Sequence, residues 1–202
     1  MKIQFVFDIA YPMSYVAFQK LKKNWDQQLN HHIELIPVQM VPEISDEGLN
    51  IMRYLSQKYG STEAQRKLQM TKFIAYSEDL EIDIEHMKRM PNSQLAHQAI
   101  LALDHTLDRF ALTQAIFNAL FKHGQDIANP AVLKSIIDGI GLDGQHVLRS
   151  IQHKEIADQQ QEHLRYIEQF RQHPIPYLII DGQVDDENFI LMNIEPRLRD
   201  AC

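Results

Sequence analysis

Phe5-Val-Phe-Asp-Ile-Ala-Tyr-Pro-Met-Ser-Tyr-Val-Ala-Phe18 joins two different patterns in fourteen residues. Ile3 to Phe7 is a mostly apolar run of the kind that forms a strand buried on both faces. Asp8 ends it. Pro12 stands where a helix can begin, because its missing N–H is one that the first turn leaves unpaired anyway. Tyr15, Val16, Phe18, Leu21 and Trp25 then recur at helical spacing. A buried strand therefore feeds directly into a helix, with Tyr11, Pro12, Met13 and Ser14 at the junction. Free N–H groups and the positive end of the helix dipole favour an anion at such a point.

Beyond this helix, Asn30-His31-His32 reads as a polar turn, and Ile33 to Val38 as a second strand whose Pro37 places its end near a sheet edge. Strand, helix and strand at this length make a right-handed βαβ unit with a parallel pair. From Gly48 to Ile151 the pattern is almost wholly helical. Ser45 is the expected cap of a helix over Gly48–Tyr59, Gly60 stops it, and a second helix runs from Ser61 to about Leu80. Ser93 is the expected cap of a helix carrying Leu95, Ile100, Leu101 and Leu103. Arg109–His123 is a further helix whose Phe110, Phe117 and Phe121 share one face. Asn129-Pro130 is a cap followed by a first-turn proline, and Asp143–Ile151 forms a short helix. Lys154–Phe170 is a long polar helix. Tyr177–Ile180 is a strand, Asp181-Gly182 a turn, Phe189–Met192 the returning strand, and Ile194–Ala201 a terminal helix.

Composition narrows the function classes. A chain of 202 residues with net charge −7 and no basic run is an unlikely nucleic-acid binder. No apolar run approaches the ~20 residues that span a bilayer, which argues against a membrane protein. The opening residues carry no secretory pattern, and the single cysteine, Cys202, allows no internal disulfide, so the cytoplasm is the expected compartment. A terminal thiol can pair between chains in air but is expected to be free and without a role; a homodimer is left open as an assembly. Neither the Asp83, Glu85 and His86 trio nor the His31-His32 pair has the spacing of a closed metal site, and no metal is expected.

The opening stretch resembles the active-site region of the DsbA superfamily of thioredoxin-fold proteins, and among them the cytoplasmic FrnE-like branch. That branch carries Asp, two residues, then Cys-Pro-Trp-Cys-Tyr; here Asp8, Ile9 and Ala10 lead into Tyr11-Pro12-Met13-Ser14-Tyr15. Tyr59-Gly60-Ser61, Pro91-Asn92 and Ala96-His97 resemble short segments of the same branch. The resemblance implies an α/β, thioredoxin-like fold with a large inserted α-helical domain. Its first half would span 1–45, the insertion 46–152 and its second half 153–202. It also implies a cis-proline at Ile175-Pro176, facing the start of the first helix and presenting an open backbone edge to an extended ligand. Asn92 and His97 would join Pro12, Met13, Ile175 and Pro176 around that ligand.

Disulfide exchange needs an attacking thiolate and a resolving thiol, and neither Tyr11 nor Ser14 can supply either. The related 2-hydroxychromene-2-carboxylate isomerases and kappa-class glutathione transferases carry Ser-Pro-Tyr-Ser at this junction and use serine hydroxyls beside glutathione. By that resemblance Tyr11 and Ser14 are the catalytic candidates, with glutathione as the thiol cofactor and a small electrophile as substrate. Tyr11 reaches further than a serine, so the sulfur would bind further out. Two alternatives remain open at this point. Tyr11 either hydrogen-bonds a thiolate or fills the space the cysteine left, packed on Met13 and Pro176. The protein is either a glutathione-dependent transferase or isomerase, or a redox-inactive module that binds an extended peptide or partner.

Overall fold

The computed structural model describes residues 2–23, 33–45, 47–80, 82 and 89–185. Trp25, the 30–32 turn, the Asp83, Glu85 and His86 trio, the expected 189–192 strand, the 194–201 helix and Cys202 lie outside the described residues. The fold is α/β. The elements run β1 (Ile3–Phe7), α1 (Pro12–Lys23), β2 (Ile33–Pro37), α2 (Ile51–Tyr59), α3 (Ser61–Ser77), α4 (Gln94–Leu101), α5 (Thr106–His123), α6 (Pro130–Gly139), α7 (Gly144–Ser150), α8 (Lys154–Glu168), β3 (Tyr177–Ile180) and β4 (Gln183–Val184).

The sheet order is β2-β1-β3-β4. β1 pairs parallel with β2, Ile3 opposite Ile33, as the crossover length requires. It pairs antiparallel with β3, Val6 opposite Tyr177. All five residues of β1 are buried, because it lies inside the sheet and both its faces are covered. The pleat sorts its side chains. Ile3, Phe5 and Phe7 join α1, α4 and α5 in one large core, where Phe117 packs its ring against Phe7, Tyr15, Phe18 and Phe121. Val6, with Ile36, Val38, Tyr177 and Ile179, faces Tyr166, Ile167 and Phe170 from the end of α8. The larger core runs on through Leu133, Ile137 and Val147, so the helices between β2 and α8 share it with β1 and α1.

Several sequence expectations are corrected by local chemistry. α2 starts at Ile51, with Asn50 rather than Ser45 as its cap; the Asn50 Oδ1 accepts from the Arg53 N–H at 2.8 Å. Before it, Gly48 turns the chain at φ +77°, and a Cβ there would meet the Met90 carbonyl oxygen at 2.9 Å. This close approach lets Leu49 pair with Met90, which delays the helix. α3 stops at Ser77, where the Leu80 N–H closes on the Ala75 carbonyl. Its Met70 and Phe73 are exposed. Ser93 does not cap α4; the Asn92 Oδ1 accepts from the Gln94 N–H instead, at 3.0 Å. α5 begins at Thr106, three residues before Arg109. The strand returning from β3 begins at Gln183, directly after the turn: Asp181 and Gly182 both have positive φ, the geometry of a two-residue hairpin. Asn129 and Asp143 cap α6 and α7 through the Ala131 and His146 N–H groups. No helix among the described residues is long and apolar enough to cross a membrane.

Candidate functional site

The junction between β1 and α1 is built from consecutive backbone donors, each with its own acceptor. The Asp8 N–H donates to the Ser14 Oγ at 3.2 Å. The Ile9 N–H donates to the His97 Nε2 at 3.1 Å, the Ala10 N–H to the Asp8 Oδ1 at 3.0 Å, and the Tyr11 N–H to the Asp8 carbonyl at 3.1 Å. The Ser14 N–H then returns to the Tyr11 carbonyl at 2.9 Å. Pro12 has no donor to place and opens α1, whose first turn carries no acidic side chain to offset the helix dipole.

Asp8 organises this turn. Only 2% of its surface is exposed. Its Oδ2 accepts from the Met40 N–H at 2.8 Å, which ties the turn to the loop after β2. Burial works against the charge on Asp8. The hydrogen bonds it accepts, those from the Met40 and Ala10 N–H groups among them, outweigh it and hold the carboxyl below its ordinary range. The sequence marks Asp8 only as the end of a strand. The signal that could have found it is a carboxylate within an otherwise apolar run, which must have partners if it is buried.

The predicted site residues separate into two groups. Tyr11 and Pro12 are half-buried, and Met13 is 8% exposed. No hydrogen bond to another described residue engages the Tyr11 hydroxyl. Burial, and then the neighbouring Tyr59 hydroxyl, push its pKa upward, so the phenol stays a donor at neutral pH. Tyr59, at the end of α2, is thus a site neighbour that the spacing of the sequence did not assign to the junction. Ser14, in contrast, is 0% exposed and its Oγ serves the Asp8 N–H. The expectation of two hydroxyls facing a ligand is corrected: Ser14 points into the turn.

Asn92 and His97 also lie behind the junction and not at its surface. The Asn92 amide donates to the Ile44 carbonyl at 2.9 Å and its oxygen accepts from Gln39 and Gln94, so it fastens α4 to the loop after β2. His97 is 0% exposed and reaches Ile9 from behind. The Ile175–Pro176 peptide bond is cis. β3 runs away from the junction, so the antiparallel register brings Ile175 and Pro176 to the same end of the sheet as Asp8–Met13. Pro176 is buried, Ile175 half-buried, and among the described residues no hydrogen bond engages the Ile175 N–H or carbonyl. No group of three or more His, Cys, Asp or Glu among the described residues could hold a metal ion.

The family model of the DSBA-like thioredoxin domain matches residues 2–195. The chain belongs to this family. Solved DsbA-like structures share its fold across nearly their whole length. A probable DsbA oxidoreductase from Streptomyces coelicolor is 18% identical with a TM-score of 0.74, over 96% of this chain and 89% of that one. A 2-hydroxychromene-2-carboxylate isomerase is 15% identical with a TM-score of 0.67, over 100% and 97%. The cytosolic disulfide reductase DsbM from Pseudomonas aeruginosa, in a structure with GSH, is 14% identical with a TM-score of 0.66, over 98% and 100%. At these identities the likeness is one of fold. No curated protein sequence matches the chain. The one cysteine of the chain is Cys202, so this DsbA-like chain carries no Cys-x-x-Cys pair.

Proposed function

We propose that this protein is a glutathione-dependent transferase or isomerase acting on a small electrophile, in the cytoplasm, and that it performs no dithiol redox chemistry of its own. The observation that carries the reading is that a Tyr11 hydroxyl and an Ile175 backbone, neither engaged among the described residues, lie at one end of the sheet. Glutathione supplies the thiolate that attacks the electrophile. Tyr11 donates its O–H to that sulfur, and a charge-assisted bond of this kind is stronger than a neutral one. Its raised pKa keeps the proton on the phenol. The start of α1, with no carboxylate in its first turn, favours the anion. The Ile175 N–H and carbonyl hold the ligand's peptide portion as an added strand would be held.

The thermal midpoint with and without glutathione tests this. Ligand at a hundred times its dissociation constant stabilises by about 2.7 kcal/mol, or about 5–10 °C for a chain of this size. Tyr11→Phe should reduce the shift and Ser14→Ala should leave it in place. No shift in the unsubstituted protein at millimolar glutathione would end the proposal. A shift produced instead by an extended peptide would favour the second reading, a redox-inactive binding module, which the same open Ile175 edge supports.

A further inference from the structure

The four donors of the turn are not equivalent. Asp8, Ala10 and Tyr11 are satisfied by Ser14 or by Asp8 itself, within the segment 8–14. Ile9 alone is satisfied from elsewhere in the chain, by a side chain 88 residues away. That side chain, His97, stands on α4. The start of α4 is fastened through Asn92 to Gln39 and Ile44, and the same loop returns to the turn through the Met40 N–H on Asp8. Turn, loop and α4 thus form one closed circuit of hydrogen bonds, and the Ile9–His97 bond closes it.

We infer that His97 is a positioning residue: by holding the Ile9 N–H it fixes the turn that places the Tyr11 hydroxyl, without touching the ligand. The inference rests on the proposed glutathione site and deepens it. Three observations support it. First, Nε2 accepts from Ile9, which puts the ring proton on Nδ1, and Nδ1 is buried with no partner among the described residues. The Ser93 Oγ, one helical turn earlier, is likewise buried with no partner among the described residues. A side chain kept only for packing would be cheaper if apolar, since a buried unpaired donor destabilises the fold. Second, the same Nε2 lies 3.4 Å from the Asp8 Oδ1, so the ring touches both residues that shape the turn. Third, the ring is held in place by the edge of Phe7, the last residue of β1, at 6.3 Å between centroids. Its aim at Ile9 is therefore set by the strand that leads into the site.

The test compares His97→Leu, which removes the acceptor, with His97→Gln, whose side-chain oxygen can restore it. Two readouts are taken on protein shown to be folded by circular dichroism: glutathione affinity by calorimetry, and the amide and ring NMR signals of Ile9 and Tyr11. Loss of one buried hydrogen bond in the turn should weaken binding on the order of tenfold in His97→Leu. The Ile9 amide should exchange faster and the Tyr11 ring signals should move. His97→Gln should recover most of the affinity and the Tyr11 signals. A merely structural histidine would change stability in both variants and leave the Tyr11 signals and the affinity of the folded protein unchanged, and that result overturns the inference. If the unsubstituted protein has no affinity for glutathione, the proposed function fails. The positioning role is then decided by the Ile9 and Tyr11 signals alone: displaced in His97→Leu and restored in His97→Gln, it stands; undisturbed, it falls.

Discussion

Asp8→Asn removes one acceptor from the turn and changes almost nothing else. The side chain keeps its size and one of its two oxygens. The other becomes an NH2 group, which meets either the Ala10 N–H, 3.0 Å from Oδ1, or the Met40 N–H, 2.8 Å from Oδ2. With Asp8 only 2% exposed, water does not replace the lost acceptor. A buried donor left unsatisfied costs ~1–3 kcal/mol, and the remaining bond loses the advantage of a charged acceptor. Together these give about 2–4 kcal/mol, a fall of about 4–16 °C in thermal midpoint at the ~2–4 °C per kcal/mol of a chain this long. The effect depends on pH with a defined sign. The folded-state pKa of Asp8 lies below its ordinary value of 3.8. Its contribution is therefore complete above that value and drains away as pH falls through the folded pKa. Melting followed by circular dichroism from about pH 7 to about pH 3 should show the two proteins far apart near neutrality and converging in acid. A midpoint for Asp8→Asn within about 1 °C of the unsubstituted protein at neutral pH would refute the reasoning, because a fully desolvated acceptor pair cannot be that cheap. So would a gap that stays constant into acid.

Ser14→Ala leaves the Asp8 N–H without its acceptor and should cost about 1–2 kcal/mol, read as a lower thermal midpoint. Glutathione affinity should change by less than about twofold, since a neutral, inward-facing hydroxyl at 0% exposure does not meet a ligand. Phe117→Ala opens a cavity among Phe7, Tyr15, Phe18 and Phe121 and should cost about 3–5 kcal/mol in chemical denaturation.

The parts of the molecule that were legible in the sequence are those where one local rule has no competitor. Ile3–Phe7 is apolar throughout and forms a strand buried on both faces. Pro12 and Pro130 open helices, and Asn129 caps α6, because a fixed φ and a short side-chain acceptor have few other uses at a helix start. Elsewhere two local candidates compete, and tertiary pairing chooses between them. Ser45 and Asn50 can both cap a helix, but the Leu49–Met90 bridge holds the chain extended until Asn50. Ser93 and Asn92 compete at the start of α4, and the buried Ser93 hydroxyl loses to the Asn92 amide. In the site, the sequence identifies the junction and the proline partner, but not which way a small hydroxyl points. Ser14 turns inward because the Asp8 N–H needs an acceptor, and that need arises only once Asp8 is buried. The roles of Asn92 and His97 follow from contacts 48 and 88 residues distant, which no periodicity encodes.

Amide chemical shifts of the isotopically labelled protein, recorded while glutathione is added to millimolar concentration, test the central claim most directly. The account predicts saturable shifts confined to Tyr11, Met13, Ser14 and Ile175, at the start of α1 and the cis-proline edge, and a weaker titration in Tyr11→Phe. No shifts, or shifts centred away from both segments, would contradict it.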